Sequence, residues 1–438
     1  MHGGNRNSKG AGKQVMADLS SFMGSLRGAS VLGINPPVQD FTFFDLWAKP
    51  LGLLFILDFL RGLGNTVSLL DCVSEGETGD LSFGRRKVCR TEIPRPRPYR
   101  DIPRRYWQFG MDDGRILSRL AAMPRPDFVF VTSGMTYWYG GVFRCIEIVR
   151  SVFPSCPVFL GGIYARLCPE HALLSGADAV QTAPLSLKFS RPAMDLYPRP
   201  GYAVLLTSFG CPLFCEYCAS RLLFPQYAQR DAREFLSDAR FQLSLPGMSH
   251  GAFYDDALLV DKENRFYPFC RTLARDFPDV RFHTPNGLHV REIDGKCAHI
   301  LRQTGFSTIR LSLESTDPDF QRRGTNKTSR EEYVHALRNL MEAGYSGSEV
   351  ETYILAGVPG QKRGTAASSL EFVKSLGARP RLAEYSPVPG TVSFGEAANL
   401  VPDLSREPLL QNKTVYASYI SGSIPPEELQ KLKDISRA

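Results

Sequence analysis

Apolar positions along the chain fall into two series of short runs. In the first, the runs at 31–34, 67–70, 128–132, 158–160 and 177–180 read as buried strands, and helical spacing covers 52–63, 116–123, 142–152 and 170–175. Short β-branched runs alternating with helices predict a parallel, doubly wound, Rossmann-like sheet with helices on both faces. The second series predicts strands at 203–207, 252–254, 280–283, 308–312, 351–356 and 381–385. Between the fourth and fifth, Tyr333, Leu337, Leu340 and Met341 make an apolar helical stripe that ends near Gly344. Six βα units fall short of the eight that close a barrel, so the second half is expected to be a (βα)6 partial TIM barrel. Residues 184–200 hold Pro184, Pro192, Pro198 and Pro200 and no period, which marks a linker. The expected organisation is a flexible tail at 1–28, a first domain at 29–184, a linker at 185–200, the partial barrel at 201–390 and a short extension at 391–438. The last turns of that extension, 426–435, have amphipathic spacing.

Length and composition narrow the class. A chain of 438 residues exceeds what one hydrophobic core normally serves, and 43% hydrophobic with 22% charged residues is a globular balance. The net charge of +7 is modest and partly local, because Arg85, Arg86, Lys87, Arg90, Arg95, Arg97, Arg100, Arg104 and Arg105 share one Pro-rich stretch. With Tyr99, Tyr106 and Trp107 nearby, that stretch has the makings of a nucleic-acid patch; its plainer reading is a Pro-Arg loop packed against the second domain. The longest apolar run, 51–60, contains Asp58 and is too short to span a bilayer, and residues 1–14 lack a signal-peptide core. A cytoplasmic protein with reduced cysteines and no membrane partner is expected.

Three of the ten cysteines crowd into eight residues, Cys211-Pro-Leu-Phe-Cys215-Glu-Tyr-Cys218, at the end of the apolar run 203–207. Soft thiolates select iron–sulfur clusters, zinc or copper. A structural zinc site needs a fourth ligand close by, and the next candidates, His250 and Cys270, are distant and unpaired. A disulfide framework needs an even count in a short secreted chain. Buried inert thiols account for Cys145, Cys156, Cys270 and Cys297 but not for three at one strand end.

The CxxxCxxC spacing resembles that of the radical S-adenosylmethionine enzymes, and the second series of strands resembles their barrel. The resemblance implies a 4Fe-4S cluster held by Cys211, Cys215 and Cys218, with S-adenosylmethionine on the fourth iron, and an external electron donor such as flavodoxin or ferredoxin. It implies an adenine contact at Tyr217, the methionyl amino group near Asp255 and Asp256, and ribose hydroxyls at Glu314. Gly357 and Gly360 would let backbone approach the nucleoside. Reactive groups of parallel βα folds gather at carboxyl strand ends, and Asp255, Asp256, Asn286, Glu314 and Gly357 fall there. The family's Gly-Gly-Glu element is replaced by Asp255-Asp256.

The first domain has no GxGxxG, which disfavours a dinucleotide. It resembles the cobalamin-binding domain joined to many radical S-adenosylmethionine enzymes, with Pro36 and Pro37 after the first strand, Ser133, Gly134, Tyr137 and Trp138 after the third, and Gly161 and Gly162 after the fourth. The DxHxxG element is missing and no histidine stands between Gly3 and Glu170, so cobalamin is expected without a protein histidine on cobalt. A methylthiotransferase would carry a second cysteine cluster; Cys72 and Cys89 are its only candidates. The expected reaction is methylation of an unactivated carbon of a small-molecule or peptide substrate. The alternatives are a non-methylating radical rearrangement or cyclisation, and a basic nucleic-acid-binding protein with a structural metal.

Overall fold

The computed structural model describes residues 15–437 except 44, 48, 75–76, 83–84 and 324–327. The first sheet holds β1 (Val15–Ala17), β2 (Ser30–Asn35), β3 (Thr66–Asp71), β4 (Phe128–Val131), β5 (Val158–Leu160) and β6 (Ala179–Gln181). All pairs are parallel and the order is β1-β6-β5-β4-β2-β3. Strand order reverses between β2 and β4, which is where an open α/β sheet opens a ligand crevice.

Residues 15–25 correct the expectation of a flexible tail up to 28. Val15–Ala17 pairs with β6, and Ser20–Ser25 is helical with Met23 buried. The Leu19 N–H donates to Gln181 Oε1 at 2.6 Å. A three-residue edge strand carries too little apolar periodicity to be read from sequence. Residues 1–14 lie outside the described residues.

The second sheet holds β7 (Ala203–Leu205), β8 (His250–Phe253), β9 (Arg281–His283), β10 (Phe306–Glu314), β11 (Val350–Ala356) and β12 (Arg379–Glu384). It is parallel in sequential order, so β7 and β12 are its two edges and the barrel is open, as the six-unit count predicts. Alternation sets its two faces. Ala203, Leu205, Phe253, Phe282 and, past the register shift at the start of β10, Ile309 turn outward and pack with helix residues such as Phe235, Leu273 and Leu301 into the main core. His283, Thr308, Arg310 and Glu351 line up on the other face, tied by His283 Nδ1 to Thr308 Oγ1 at 2.8 Å and Arg310 Nε to Glu351 at 3.1 Å.

The first domain enters that polar interior. Trp47, only 1% exposed, stacks on His283 with ring centroids 4.3 Å apart and meets Tyr202 edge-on. Behind it, the Tyr197 hydroxyl donates to Asp71 at 2.6 Å. No helix among the described residues is long and apolar enough to cross a membrane.

Candidate functional site

The three cysteines sit on the loop after β7, pinched by a two-residue antiparallel ladder between Ser208–Phe209 and Ala228–Gln229. A carboxylate anchors the ladder from below. Asp255, 3% exposed, accepts hydrogen bonds from the Thr207 N–H at 3.0 Å, the Thr207 hydroxyl at 2.6 Å and the Ser208 hydroxyl at 2.7 Å. Its oxygens are therefore occupied, and it fixes where the cysteine loop starts. Of the expected pair, Asp256 is the carboxylate left facing outward. It accepts from the Ser220 hydroxyl at 2.6 Å, two residues past Cys218. Protein packed around Asp256 raises its carboxyl, opposed by the Ser220 bond.

Within the loop, the Cys218 N–H donates to Cys215 O at 3.0 Å. The N–H groups of Leu213 and Ser220 point at the sulfurs of Cys211 and Cys218, both at 3.5 Å. Desolvation pushes the Cys218 thiol up to about 11; the Ser220 N–H opposes this, and the charges of Cys215, Asp256 and Cys211 add to it. A ligand must be deprotonated before it binds metal, so an iron centre here would displace that proton. Among the described residues no three His, Cys, Asp or Glu side chains close on a single ion. A four-iron cube takes one thiolate per iron, spacing the sulfurs wider than one ion does. The donor set and the N–H groups on sulfur fit such a cluster.

The other strand ends form a ring around this loop. Asn286 donates to Tyr254 O at 2.6 Å and reaches Asp256 at 3.5 Å. Glu314 ends β10 with φ +65°, a left-handed conformation rare for a non-glycine residue, where the β10–β11 register shifts. Such strain persists only where the surroundings over-determine it, and it clusters at ligand sites. The Tyr217 ring stacks near Phe320, centroids 6.3 Å apart at 16°. Burial first, then the charges of Glu314 and Cys215, push its hydroxyl well above the ordinary range. Phe320 was invisible to the sequence reading, because a lone aromatic on a short helix carries no motif. Gly357, at φ +90°, gives its N–H to Gln361 at 2.8 Å, and a Cβ there would stand 2.9 Å from the Ala417 Cβ. That glycine admits the C-terminal extension. Gly360, also left-handed at φ +73°, remains exposed.

In the first domain, Pro36, Pro37, Ser133 and Tyr137 are buried, while Gly134, Trp138, Gly161 and Gly162 are half-buried at the rim. The Ser133 hydroxyl donates to Gly161 O at 2.6 Å and accepts from the Ala165 N–H at 3.3 Å. Gly162 has φ +100° and a Cβ there would fall 2.3 Å from Ser133 O, so only glycine fits. The next helix, Ile163–Leu167, carries Arg166, whose guanidinium donates to the carbonyls of Leu222 and Leu223. Those carbonyls follow the cysteine loop, so Arg166 holds the Gly161-Gly162 loop beside Cys218. Sequence reading did not single out Arg166.

The basic stretch is partly tied into the fold, although Arg97, Arg100 and Arg105 stay exposed. Arg85–Val88 and Arg90–Ile93 are strands. The Tyr99 hydroxyl donates to Leu409 O at 2.6 Å, and Arg104 to Thr414 O at 2.9 Å. Asp40 closes the same seam, accepting from Trp138 Nε1 at 2.8 Å and Asn412 Nδ2 at 2.9 Å.

Residues 205–373 match the radical SAM superfamily. The fold is similar to the radical S-adenosylmethionine methyltransferase TsrM from Kitasatospora setae, solved with tryptophan and a S-adenosylmethionine analogue. That likeness has a TM-score of 0.60 at 16% identity and covers 85% of this chain and 76% of that one. It is also similar to the cobalamin-dependent enzyme OxsB, solved with aqua-cobalamin and S-adenosylmethionine, at TM-score 0.56 and 14% identity over 88% of this chain and 57% of that one. An uncharacterized methyltransferase of Pyrococcus horikoshii is 22% identical over 230 residues, 51% of this chain, which thus spans about half (47%) of that relative's length. The matched segment begins in β7, contains the cysteine loop and runs through β11, so this part of the chain carries a radical SAM domain, and the two-domain fold is similar to those of TsrM and OxsB.

Proposed function

We propose that the protein is a cobalamin-dependent radical S-adenosylmethionine enzyme that methylates an unactivated carbon. The observation that carries this is the contact of the two loops: Arg166 fastens Gly161-Gly162 directly behind the Cys211–Cys215–Cys218 loop. Cys211, Cys215 and Cys218 would hold a 4Fe-4S cluster, which supplies the one electron that splits S-adenosylmethionine into methionine and a 5′-deoxyadenosyl radical. Cobalamin, when bound, supplies the methyl group for the substrate carbon that has lost hydrogen to that radical.

The chain's own part is positioning. Asp255 fixes the base of the cysteine loop, and Asp256 presents a carboxylate toward an ammonium group. Glu314, held at a positive φ at the strand end, would take the ribose hydroxyls, with Tyr217 and Phe320 as flat apolar surface for adenine. Gly134, Trp138, Gly161 and Gly162 form the rim that would take cobalamin, framed by Pro36, Pro37, Ser133 and Tyr137. A Cβ on Gly161 would meet nothing closer than 3.8 Å, which leaves room at that rim. His171 Nδ1 is engaged with the Tyr164 hydroxyl at 2.6 Å. An external one-electron donor is required, and an oxygen-sensitive centre with ten free cysteines suits the cytoplasm.

Anaerobic reconstitution should load about four iron and four sulfide per chain, and Cys215→Ala should abolish 5′-deoxyadenosine formation. An unchanged nucleoside yield in that variant overturns the reading. A base-off cobalamin spectrum on the full-length protein tests the second cofactor.

A further inference from the structure

Buried polar atoms in folded proteins almost always have partners. Here a group of them without partners gathers where the end of β12, the first domain and the C-terminal extension meet. Tyr137 is 1% exposed and its hydroxyl makes no hydrogen bond. The carboxylates that act on it are Asp40 and Glu384. Glu384 gives one oxygen to Lys433 at 2.8 Å and leaves Oε2 buried without a donor. The next residue, Tyr385, lies 5.7 Å from the ring of Tyr416, whose hydroxyl is also unpartnered, as is that of Ser418. Gln411 is fully buried. Its side-chain Nε2 donates to Leu404 O at 3.0 Å and its main-chain carbonyl accepts from the Ser386 hydroxyl at 2.8 Å, while the side-chain Oε1 has no donor.

The group adjoins the reactive loop. Tyr385 and Tyr416 share one apolar cluster with Tyr217, the neighbour of Cys218. Helical turn Pro408–Gln411 packs on Thr136–Trp138 of the first domain, so both halves of the molecule contribute.

We propose that this junction is the substrate subsite of the reaction proposed above, on which the inference rests, and that it takes a neutral or cationic small molecule rich in N–H or O–H groups. Glu384 Oε2 and Gln411 Oε1 can only accept, and the three hydroxyls take either role. The acids Asp40 and Glu384 face the group, and the bases acting on them, Lys413 and Lys433, do no more than offset them. Two acids, each met by one base, favour a neutral or cationic partner over a carboxylate or phosphate. The extension thereby supplies part of the recognition surface.

The test uses the full-length, cluster-loaded protein and the variants Tyr137→Phe, Tyr416→Phe and Ser418→Ala. Each removes one oxygen and keeps the packing. Deleting an unsatisfied buried hydroxyl is close to neutral or stabilising, whereas deleting a bonded one destabilises. Melting temperature is read by calorimetry. Ligand retention is read by filtration and mass spectrometry with a metabolite extract split into cationic, neutral and anionic fractions. The expected result is an unchanged or raised melting temperature, unchanged iron content, and about tenfold weaker retention of a neutral or cationic compound held by the unaltered protein. Three results overturn the proposal: melting lowered by several degrees in all three variants, equal retention, or an unaltered protein that holds only anions or nothing. Failure of the radical reading is seen separately, as absent iron or absent deoxyadenosine in the unaltered protein.

Discussion

Two residues show how local conformation and charge follow from position. Glu314 holds φ +65° at the end of β10, a conformation that costs an L-residue roughly 1–2 kcal/mol and costs glycine almost nothing. Glycine's extra chain entropy, about 0.5–1 kcal/mol, partly offsets the relief. Glu314→Gly should therefore melt within a few degrees of the unaltered protein while losing most S-adenosylmethionine cleavage; a large drop in melting temperature would instead give the side chain a structural task. His283 is held neutral. Desolvation, then His250 and Arg310, lower it from 6.5 to about 3. A base with a depressed folded pKa stabilises the fold above its unfolded value, and that stability is lost as pH falls from about 6.5 toward 3. Between pH 7 and pH 5 the loss should be on the order of 2 kcal/mol in denaturant unfolding, and His283→Asn should flatten that slope.

Among the elements, the C-terminal extension is the one whose place sequence could not foretell. Its hydrogen bonds run to residues more than three hundred positions away: Asn412 to Asp40, Arg104 to Thr414, and Tyr99 to Leu409. Asp40 is buried, and burial raises its carboxyl against the bonds from Asn412 and Trp138. Asn412→Ala removes a donor to a buried carboxylate, which should cost about 1.5–3 kcal/mol. The segment 402–420 should then be cut by protease faster than β10 or β11, and uniform protection across the chain would show that other contacts suffice. The basic stretch illustrates the same principle. Its guanidiniums read as a patch along the chain, yet Arg90 lies over the Trp107 ring at 4.1 Å and Arg104 holds the extension.

At the scale of the whole molecule, the two sheets present their carboxyl ends to one another. Trp47 threads from the first domain onto His283, and Arg166 reaches the cysteine loop. These contacts fix the distance between the Gly161-Gly162 loop and the cysteine loop more tightly than a linker could. Arg166→Ala should leave iron loading intact and slow methyl transfer relative to deoxyadenosine formation, measured as the ratio of the two products; a fall in both together would mean that Arg166 supports the cysteine loop alone.

Periodicity and spacing sufficed for both sheets, the open six-unit barrel and the three thiols, because each is encoded within a few neighbouring residues. The strand-end polar residues were legible for the same reason. Their separate tasks were not: Asp255 and Asp256 are adjacent in sequence, yet one is tied to Thr207 and Ser208 and the other faces outward. The strain at Glu314, the Arg166 bridge and the unpartnered hydroxyls around Tyr137 depend on contacts between distant segments. Sequence by itself determined which elements form and which soft ligands the loop offers. Only the tertiary structure decided which polar atoms are already satisfied and which still await a partner, because that depends on what folding brings within hydrogen-bond reach.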